Sequence, residues 1–167
     1  MDLGLTRRGD YAVRAALCLA RSWGTERYLK TREVAAAMEL PPSYTPQVLR
    51  LLSTAGLAEA RAGREGGYRL ASPPEEISLL AVVEGAEGRF LLERCILRGG
   101  PCHWEWACAV HVAWGTAVEA CRESLRRTTL ADLVAADQRL VEDPSSAGQD
   151  AHGARRHDRT DEGPAQM

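Results

Sequence analysis

Apolar residues recur at helical spacing along the first third of the chain. A first helix is predicted over 10–23, where an apolar residue returns every fourth position, and Gly24 follows as a stop. The residues of this stripe are Tyr11, Ala15, Leu19 and Trp23. A second, short helix is predicted over 31–40 with Thr31 as its N-cap, and a third from Ser43 to Thr54 or Ala55. The pattern therefore predicts three helices joined by short turns.

The pattern then changes to that of a two-stranded ribbon. Residues 57–71 hold a glycine-rich tip at 63–67, and Tyr68 and Leu70 alternate after it as they would in a strand. Further helices are predicted from Ile77 to Glu84, from Cys108 to Leu125 and, capped by Thr129, from Leu130 to Leu140. The predicted fold class is mainly α with a small β-wing, and the longest of these helices is the one that begins at Cys108.

Composition agrees with a helical globular chain. Aromatic residues make up 5% of the 167 residues, and alanine and leucine, which favour helices, recur throughout. No run of 18 apolar residues is present, and the first 20 residues include five charged ones, so we expect neither a membrane span nor a secretory signal. The expected location is the cytoplasm.

Charge divides the chain into three predicted parts. Residues 1–72, with the three helices and the ribbon, hold 11 Lys and Arg against 7 Asp and Glu. Residues 73–141, with a cysteine-containing segment and the longest predicted helix, hold 7 against 10, and residues 142–167 hold 3 against 6. This last part lacks apolar periodicity and is predicted to be a disordered tail. A basic front part suits a polyanionic partner.

Two helices joined by a short turn and followed by a basic, glycine-tipped ribbon are typical of a winged helix-turn-helix. In that arrangement the second helix presents its N-terminal side chains to bases in the major groove of double-stranded DNA, and the wing contacts the backbone or the minor groove. The candidate DNA-contacting residues are Ser43, Tyr44, Thr45, Gln47 and Arg50 of the helix, and Arg61 and Arg64 of the wing. The alternative is a helical bundle with a hairpin whose arginines are merely solvated.

Three cysteines lie close together in a glycine- and proline-containing segment. Cys95, Cys102, Cys108 and His111 follow the spacing C-x6-C-x5-C-x2-H. Thiolates are ligands for iron–sulfur clusters, zinc and copper(I), and Cys108 and His111 share one face if a helix begins there. The alternatives are ordinary reduced thiols and a closed zinc site. Cys18 and Cys121 lie on predicted helix faces and are interpreted as packing residues.

Short segments in a fixed order give the chain a family resemblance. They are Leu5-Thr6-Arg7-Arg8-Gly9-Asp10-Tyr11-Ala12-Val13-Arg14, Ala55-Gly56-Leu57, Gly66-Gly67-Tyr68-Arg69-Leu70-Ala71, Val83-Glu84-Gly85, the three-cysteine loop and Thr129-Leu130-Ala131-Asp132-Leu133. With them the chain resembles the Rrf2 family of bacterial transcription regulators, which has IscR-like and NsrR-like members, over about residues 3–134.

The resemblance implies a homodimer that pairs through the long helix, with DNA affinity controlled by an iron–sulfur cluster. It implies Cys95, Cys102 and Cys108 as ligands, with His111 as the fourth ligand of a 2Fe–2S cluster. Asp10 matches a carboxylate ligand that some members supply from the partner subunit to a 4Fe–4S cluster, and its other interpretation is a cap of the first helix. We favour His111 and 2Fe–2S.

Two departures from the family pattern are visible. Ala62 stands where many members have arginine just before the wing glycine, and six residues rather than five separate Cys95 from Cys102. Arg61 or Arg64 would then take over the wing contact.

The predicted function is therefore a cluster-controlled regulator, most simply a repressor that senses nitric oxide, redox state or iron. One alternative is the same fold without a cluster, responding to thiol oxidation or a metabolite. Another is an iron–sulfur carrier or electron-transfer protein, which would have no need of a basic wing. No catalytic constellation is apparent, so the chain is not expected to be an enzyme.

Overall fold

The computed structural model describes residues 5–25, 27–89 and 108–142. The first helix, α1 (Arg7–Arg21), begins after Thr6, whose hydroxyl accepts the N–H groups of Arg8 and Gly9. Its small apolar face is buried, and Leu19 is among the largest fully buried side chains of the described residues. This face makes α1 the centre of the core.

Two further helices form the helix-turn-helix unit. They are α2 (Thr31–Ala37) and α3 (Thr45–Thr54), and both pack against α1. Leu40 is buried in the turn between them, while Glu39 adopts a positive φ of 52°. Pro46 lies in the first turn of α3, where a missing N–H costs no helical hydrogen bond.

The wing is an antiparallel pair of strands, β1 (Ala58–Arg61) and β2 (Gly67–Leu70). Ala58 pairs with Leu70 and Arg61 with Gly67, so the register brings the buried side chains of Ala58 and Leu70 together. Leu29 extends this sheet through an isolated bridge to Tyr68. The start of the helix-turn-helix is thereby hydrogen-bonded to the wing.

The remaining elements are a 3-10 turn (Pro74–Glu76), α4 (Leu79–Glu87), α5 (Ala109–Arg127) and α6 (Leu130–Glu142). The backbone joins the starts of α4 and α6, because the Leu79 N–H donates to the Thr128 carbonyl at 2.8 Å and the Leu130 N–H to the Ile77 carbonyl at 2.9 Å. Leu130 is fully buried at this junction.

One hydrophobic core joins α1, α2, α3, α4 and the wing. Its largest fully buried side chains are Leu19, Leu49, Leu52, Leu70, Leu130, Val34, Val48 and Val82. The chain divides into two units, residues 1–134 with this core and residues 135–167, of which the end of α6 is described. No helix among the described ranges is long and apolar enough to cross a membrane.

The predicted fold class, mainly α with a small β-wing, is confirmed. Two predicted caps are wrong. The N-cap of α2 is Lys30 rather than Thr31, and the cap of α1 is Thr6, so Asp10 lies inside the first turn instead of capping it. The Thr129 cap is confirmed, since its hydroxyl accepts the Asp132 N–H at 3.1 Å.

Several predictions concern residues that the structure does not describe. Cys95, Cys102 and nearly all of the predicted disordered tail at 142–167 lie outside the described residues. The predicted boundaries of the three domains stay predictions.

Candidate nucleic-acid interface and cluster ligands

One face of α3 is exposed and polar, and the opposite face is buried. Val48, Leu49 and Leu52 are 0–1% exposed and pack into the core. Gln47 and Arg50 are exposed on the outward face, one turn apart. Ser43 is also exposed just before the helix. Amide and guanidinium groups in this arrangement can reach base edges or phosphates.

Thr45 does not belong to this exposed face, so its prediction as a DNA contact is wrong. Its side chain is fully buried, and its hydroxyl donates to the Pro41 carbonyl at 2.9 Å. This bond ties the start of α3 to the preceding turn. The neighbouring Tyr44 is half-buried and packs edge-on against the ring of Tyr11, with centroids 5.8 Å apart. Its hydroxyphenyl group therefore has a structural role in α3 placement.

The two predicted wing arginines are exposed. Arg61 ends β1 with its guanidinium 5.7 Å from the centre of the Tyr28 ring, and Arg64 lies in the turn at the tip. Gly66 in this turn has no room for a side chain, because a Cβ there would lie 2.0 Å from the Arg61 carbonyl oxygen. The backbone of the turn that carries Arg64 is thus tightly packed at Gly66.

A basic groove that the sequence reasoning missed lies between α2 and the wing. The groove encloses about 540 Å³ and is lined by Arg27, Tyr28, Lys30, Arg32, Glu33, Arg61 and Glu65. Four of its side chains are cationic and two are acidic, and Arg27 pairs with Glu33. Three basic residues, Arg27, Lys30 and Arg32, lie within six positions around the start of α2. This cluster in the sequence could have indicated the groove.

The predicted ligands at the start of α5 are described in part. Cys108 is the half-exposed N-cap residue with extended backbone, and His111 lies in the first turn of the helix. Residues three apart at a helix start lie on one face, so one thiol and one imidazole can serve a common iron site. A thiolate and an imidazole are both donor types that ligate iron–sulfur clusters, so these two residues fit the group.

The other candidate ligand, Asp10, is engaged within α1. Its carboxylate lies 3.4 Å from the Arg14 guanidinium one turn along the helix. No group of three or more His, Cys, Asp and Glu side chains able to hold a metal occurs within the described ranges, from which Cys95 and Cys102 are absent.

The cysteines interpreted as packing residues differ in their surroundings. Cys18 is buried on α1, where burial raises the pKa of its thiol and the nearby Arg21 partly offsets this increase. A thiol with a raised pKa forms little thiolate and makes a poor ligand. Cys121 is half-exposed on α5. The packing interpretation of Cys18 is confirmed.

Polar contacts connect α5 to the DNA-binding part of the chain through α4. Arg122 of α5 forms an ion pair with Glu84 of α4, with side chains 16% and 22% exposed. One turn further along α4, the Glu87 carboxylate accepts the N–H of Thr6 at 2.8 Å, at the start of α1. The helix that begins at Cys108 is thus linked to the first helix of the core.

A helix pair with an exposed polar second helix and a basic two-stranded wing defines a winged helix-turn-helix DNA-binding protein. The family model described as an iron-dependent transcriptional regulator, Rrf2, matches residues 5–136. The chain belongs to the Rrf2 family of transcriptional regulators.

Individual relatives agree with this assignment. A Mycobacterium tuberculosis protein with the provisional name of HTH-type transcriptional regulator is 32% identical over 158 residues, which cover 92% of this chain and 98% of the relative. The HTH-type transcriptional repressor NsrR of Streptomyces coelicolor is 33% identical over 132 residues, which cover 79% of this chain and 88% of the repressor.

Solved structures are similar in fold. CymR, the global cysteine regulator of B. subtilis, superposes with a TM-score of 0.66 at 27% identity, covering 80% of this chain and 98% of CymR. IscR of T. potens superposes with a TM-score of 0.64 at 25% identity, covering 83% of this chain and 91% of IscR. Both structures therefore share the fold of this chain over more than three quarters of its length.

Proposed function

We propose that the protein is a repressor that binds a double-stranded DNA operator as a homodimer, with its affinity controlled by an iron–sulfur cluster. The DNA-binding part of this proposal rests on one observation, the difference between the buried face and the exposed face of α3. Val48, Leu49 and Leu52 are buried while Gln47 and Arg50 are exposed next to a basic wing. Such a protein would act where its operator is, in the cytoplasm.

Specific recognition is assigned to the exposed side chains of α3. Gln47 and Arg50 would contact base edges, Ser43 would contact a phosphate, and Arg61 and Arg64 would contact the backbone or the minor groove. Tyr44 is proposed only for its hydroxyl, because its ring packs against Tyr11. Operator sequence would then depend mainly on Gln47 and Arg50.

The homodimer is proposed to form through α5. None of the 19 residues of this helix is buried within one chain, and Val110 and Val112 are 42% and 63% exposed. Covering this surface with a second copy would remove apolar area from water. A dimer would also present two copies of α3 to successive turns of DNA.

The cluster is assigned to Cys95, Cys102, Cys108 and His111, with Asp10 as the alternative fourth ligand. The resemblance to IscR-like and NsrR-like members supports this assignment, as does the description of the matching family model as an iron-dependent regulator. When bound, a cluster supplies a centre that reacts with nitric oxide or oxidants. A 2Fe–2S cluster is favoured because His111 lies one turn from Cys108, in the spacing C-x2-H.

The chain itself offers a route from Cys108 to DNA. The ion pair between Arg122 and Glu84 holds α5 to α4, and Glu87 of α4 holds the start of α1. A change at the start of α5 would therefore alter how the two DNA-binding units of a dimer are spaced. Since the two half-sites lie about one helical turn apart, a small change in spacing lowers operator affinity.

A second candidate function keeps the DNA-binding part and omits the cluster. In it, the cysteines respond to oxidation, or the protein binds a metabolite. The observation in its favour is the similarity to CymR, which is described as a global cysteine regulator in B. subtilis and was solved in an oxidized form from Staphylococcus aureus.

Anaerobic purification with a visible spectrum and analysis of iron and sulfide separates the two candidates. Brown protein with equal iron and sulfide supports the cluster, and two or four irons per chain gives its type. Cys102→Ala should then remove the colour and Cys121→Ala, the control cysteine, should keep it. His111→Ala should alter the spectrum of a 2Fe–2S site, and Asp10→Ala should not. Colourless protein after reconstitution leaves DNA binding in place and favours the second candidate.

DNA binding is tested separately, by selecting duplexes from a random-sequence pool with the purified protein. Enrichment of one sequence supports a regulator, and no enrichment with loaded or cluster-free protein favours a carrier. Arg64→Ala should lower affinity for the selected duplex and reduce the salt slope by about one unit, as expected for the loss of one phosphate contact. An unchanged slope would remove Arg64 from the interface.

A further inference from the structure

Lysine is an unusual residue type at the helix position that Lys30 occupies. It is the N-cap of α2, where a side-chain oxygen normally accepts a free backbone N–H. An ammonium group has donors only, so Lys30 cannot cap the helix in this way. Glu33, in the first turn of α2, stabilises this helix start instead, because its carboxylate accepts the Lys30 N–H at 2.7 Å. The Lys30 side chain serves a different contact.

That contact is with the wing. The Lys30 ammonium donates to the Gly63 carbonyl at 3.4 Å and to the Arg64 carbonyl. Both carbonyls belong to the turn that joins β1 and β2. The Gly63 carbonyl also accepts the Gly66 N–H at 3.1 Å, which closes this turn. Lys30 therefore contacts the turn that carries Arg64.

The backbone beside Lys30 is attached to the wing as well. Leu29 and Tyr68 exchange two hydrogen bonds, of 2.8 and 2.9 Å. The two strands meet so closely that a Cβ on Gly67 would lie 2.3 Å from the Leu29 carbonyl oxygen. The wing is thus fixed to the segment before α2 at its base by backbone bonds and at its turn by Lys30.

The contact between Lys30 and the wing turn holds together cationic side chains that would otherwise repel one another. Arg32 and Arg61 line the same basic groove as Lys30. Among the described residues Arg32 makes no hydrogen bond to the wing turn, so its cation is held near the wing by the helix alone. The two carbonyls give the Lys30 cation a partner that does not cancel the charge of the groove.

We propose that Lys30 is a positioning residue for DNA recognition, which holds the wing turn against the start of α2 and so sets where Arg64 lies relative to α3. This inference rests on the proposed function, in which α3 and the wing bind one duplex. It assigns to Lys30 an effect on affinity that operates through Arg64 rather than through a phosphate contact of its own.

A double-mutant cycle tests this assignment on the duplex selected by the wild-type protein. Lys30→Met keeps the side-chain length and removes the donors, and we expect it to lower affinity about fivefold or more. In an Arg64→Ala background the same change should have less than about a twofold effect, because residues that act through one contact are not additive. Lys30→Arg retains donors and should restore affinity to within about twofold of wild type.

Arg32→Met is the matched control, since it removes one positive charge from the same groove. Its effect should multiply with that of Arg64→Ala, as expected for independent contacts. Thermal unfolding of each variant checks that Lys30→Met remains folded.

Three results would overturn the inference. They are a Lys30→Met variant with wild-type affinity, effects of Lys30→Met and Arg64→Ala that multiply, and an Arg64→Ala variant that binds like wild type. The proposed function fails in a different way, if the wild-type protein selects no duplex at all.

Discussion

Positions two residues apart at the start of α3 have opposite surroundings, and this decides which of them is proposed to contact DNA. Thr45 is fully buried with its hydroxyl bonded to the Pro41 carbonyl, whereas Gln47 is exposed. Thr45→Val should lower the free energy of unfolding by about 1 kcal/mol, the net value of a hydrogen bond, because Val fills the same volume. In this variant the Pro41 carbonyl still accepts hydrogen bonds from the backbone N–H groups of residues 44 and 45.

Urea unfolding and duplex binding measured on the same variants check this prediction. Thr45→Val should bind the selected duplex within about twofold of wild type, since its stability loss leaves the protein folded. Gln47→Ala, its control on the exposed face, should bind more weakly with a stability change under about 0.5 kcal/mol. A large loss of specificity in Thr45→Val would restore it to the interface.

Gly67 is required by a close approach of two strands. Its φ is +151°, and a Cβ would lie 2.3 Å from the Leu29 carbonyl oxygen, which belongs to backbone and cannot rotate away. Gly67→Ala should therefore lower the free energy of unfolding by about 2 kcal/mol or more. Gly63→Ala, at φ +100° with open space around its Cβ, should cost less in the same urea titration. Equal costs would show that only backbone conformation matters.

Caps show where residue-level prediction from sequence ends. Thr31 has the residue type of an N-cap, yet Lys30 occupies that position and Glu33 accepts its N–H. The reason is that Leu29 pairs with Tyr68, so the chain is held extended through residue 30 by a partner almost 40 residues away. A long-range pairing of this kind has no signature in the local pattern.

At the scale of elements, apolar periodicity predicted each helix and the wing. It did so because the buried faces, such as that of Val48 and Leu52 on α3, repeat at helical spacing. Helix ends shifted by a few residues, as with α1, which begins at Arg7 because Thr6 can cap it. The candidate site was predicted for the exposed face of α3 and for the wing arginines. Burial of Thr45 and the basic groove depend on tertiary packing and were missed.

The ion pair between α4 and α5 should contribute to stability because it is sheltered. Removing Arg122 leaves the Glu84 carboxylate, 22% exposed, without that partner. Arg122→Met should lower the free energy of unfolding by about 2 kcal/mol, less than for a fully buried pair. Chemical unfolding measures this loss.

Arg126→Met is the control in the same helix. Arg126 pairs with Glu123 at 2.7 Å but is 63% exposed. Hydrogen bonds from Arg126 and Arg127 lower the pKa of Glu123 to about 2, yet solvent screens an exposed pair, so its removal should change stability far less than the loss of Arg122. Equal losses of stability for both variants would mean that burial from solvent does not strengthen the ion pair between Arg122 and Glu84.

At the scale of the whole molecule, the exposure of α5 has a consequence for DNA binding. Along this helix Ala109, Ala113, Ala117 and Ala120 form an exposed stripe of small side chains. If a second copy covers the stripe, a charged side chain there would be buried without a partner, which is strongly unfavourable. Ala117→Glu should therefore convert the proposed dimer to a monomer, as measured by sedimentation.

Loss of the dimer should also lower operator affinity by about a hundredfold or more, because the second half-site would no longer be held at high effective concentration. Gln138→Glu adds the same charge at an exposed position of α6, and it should leave both the oligomeric state in sedimentation and the operator affinity unchanged. An Ala117→Glu protein that stays dimeric would mean that another surface joins the two copies. A monomer that still binds with wild-type affinity would instead show that one helix-turn-helix suffices, and control through the spacing of two half-sites would then have no physical basis.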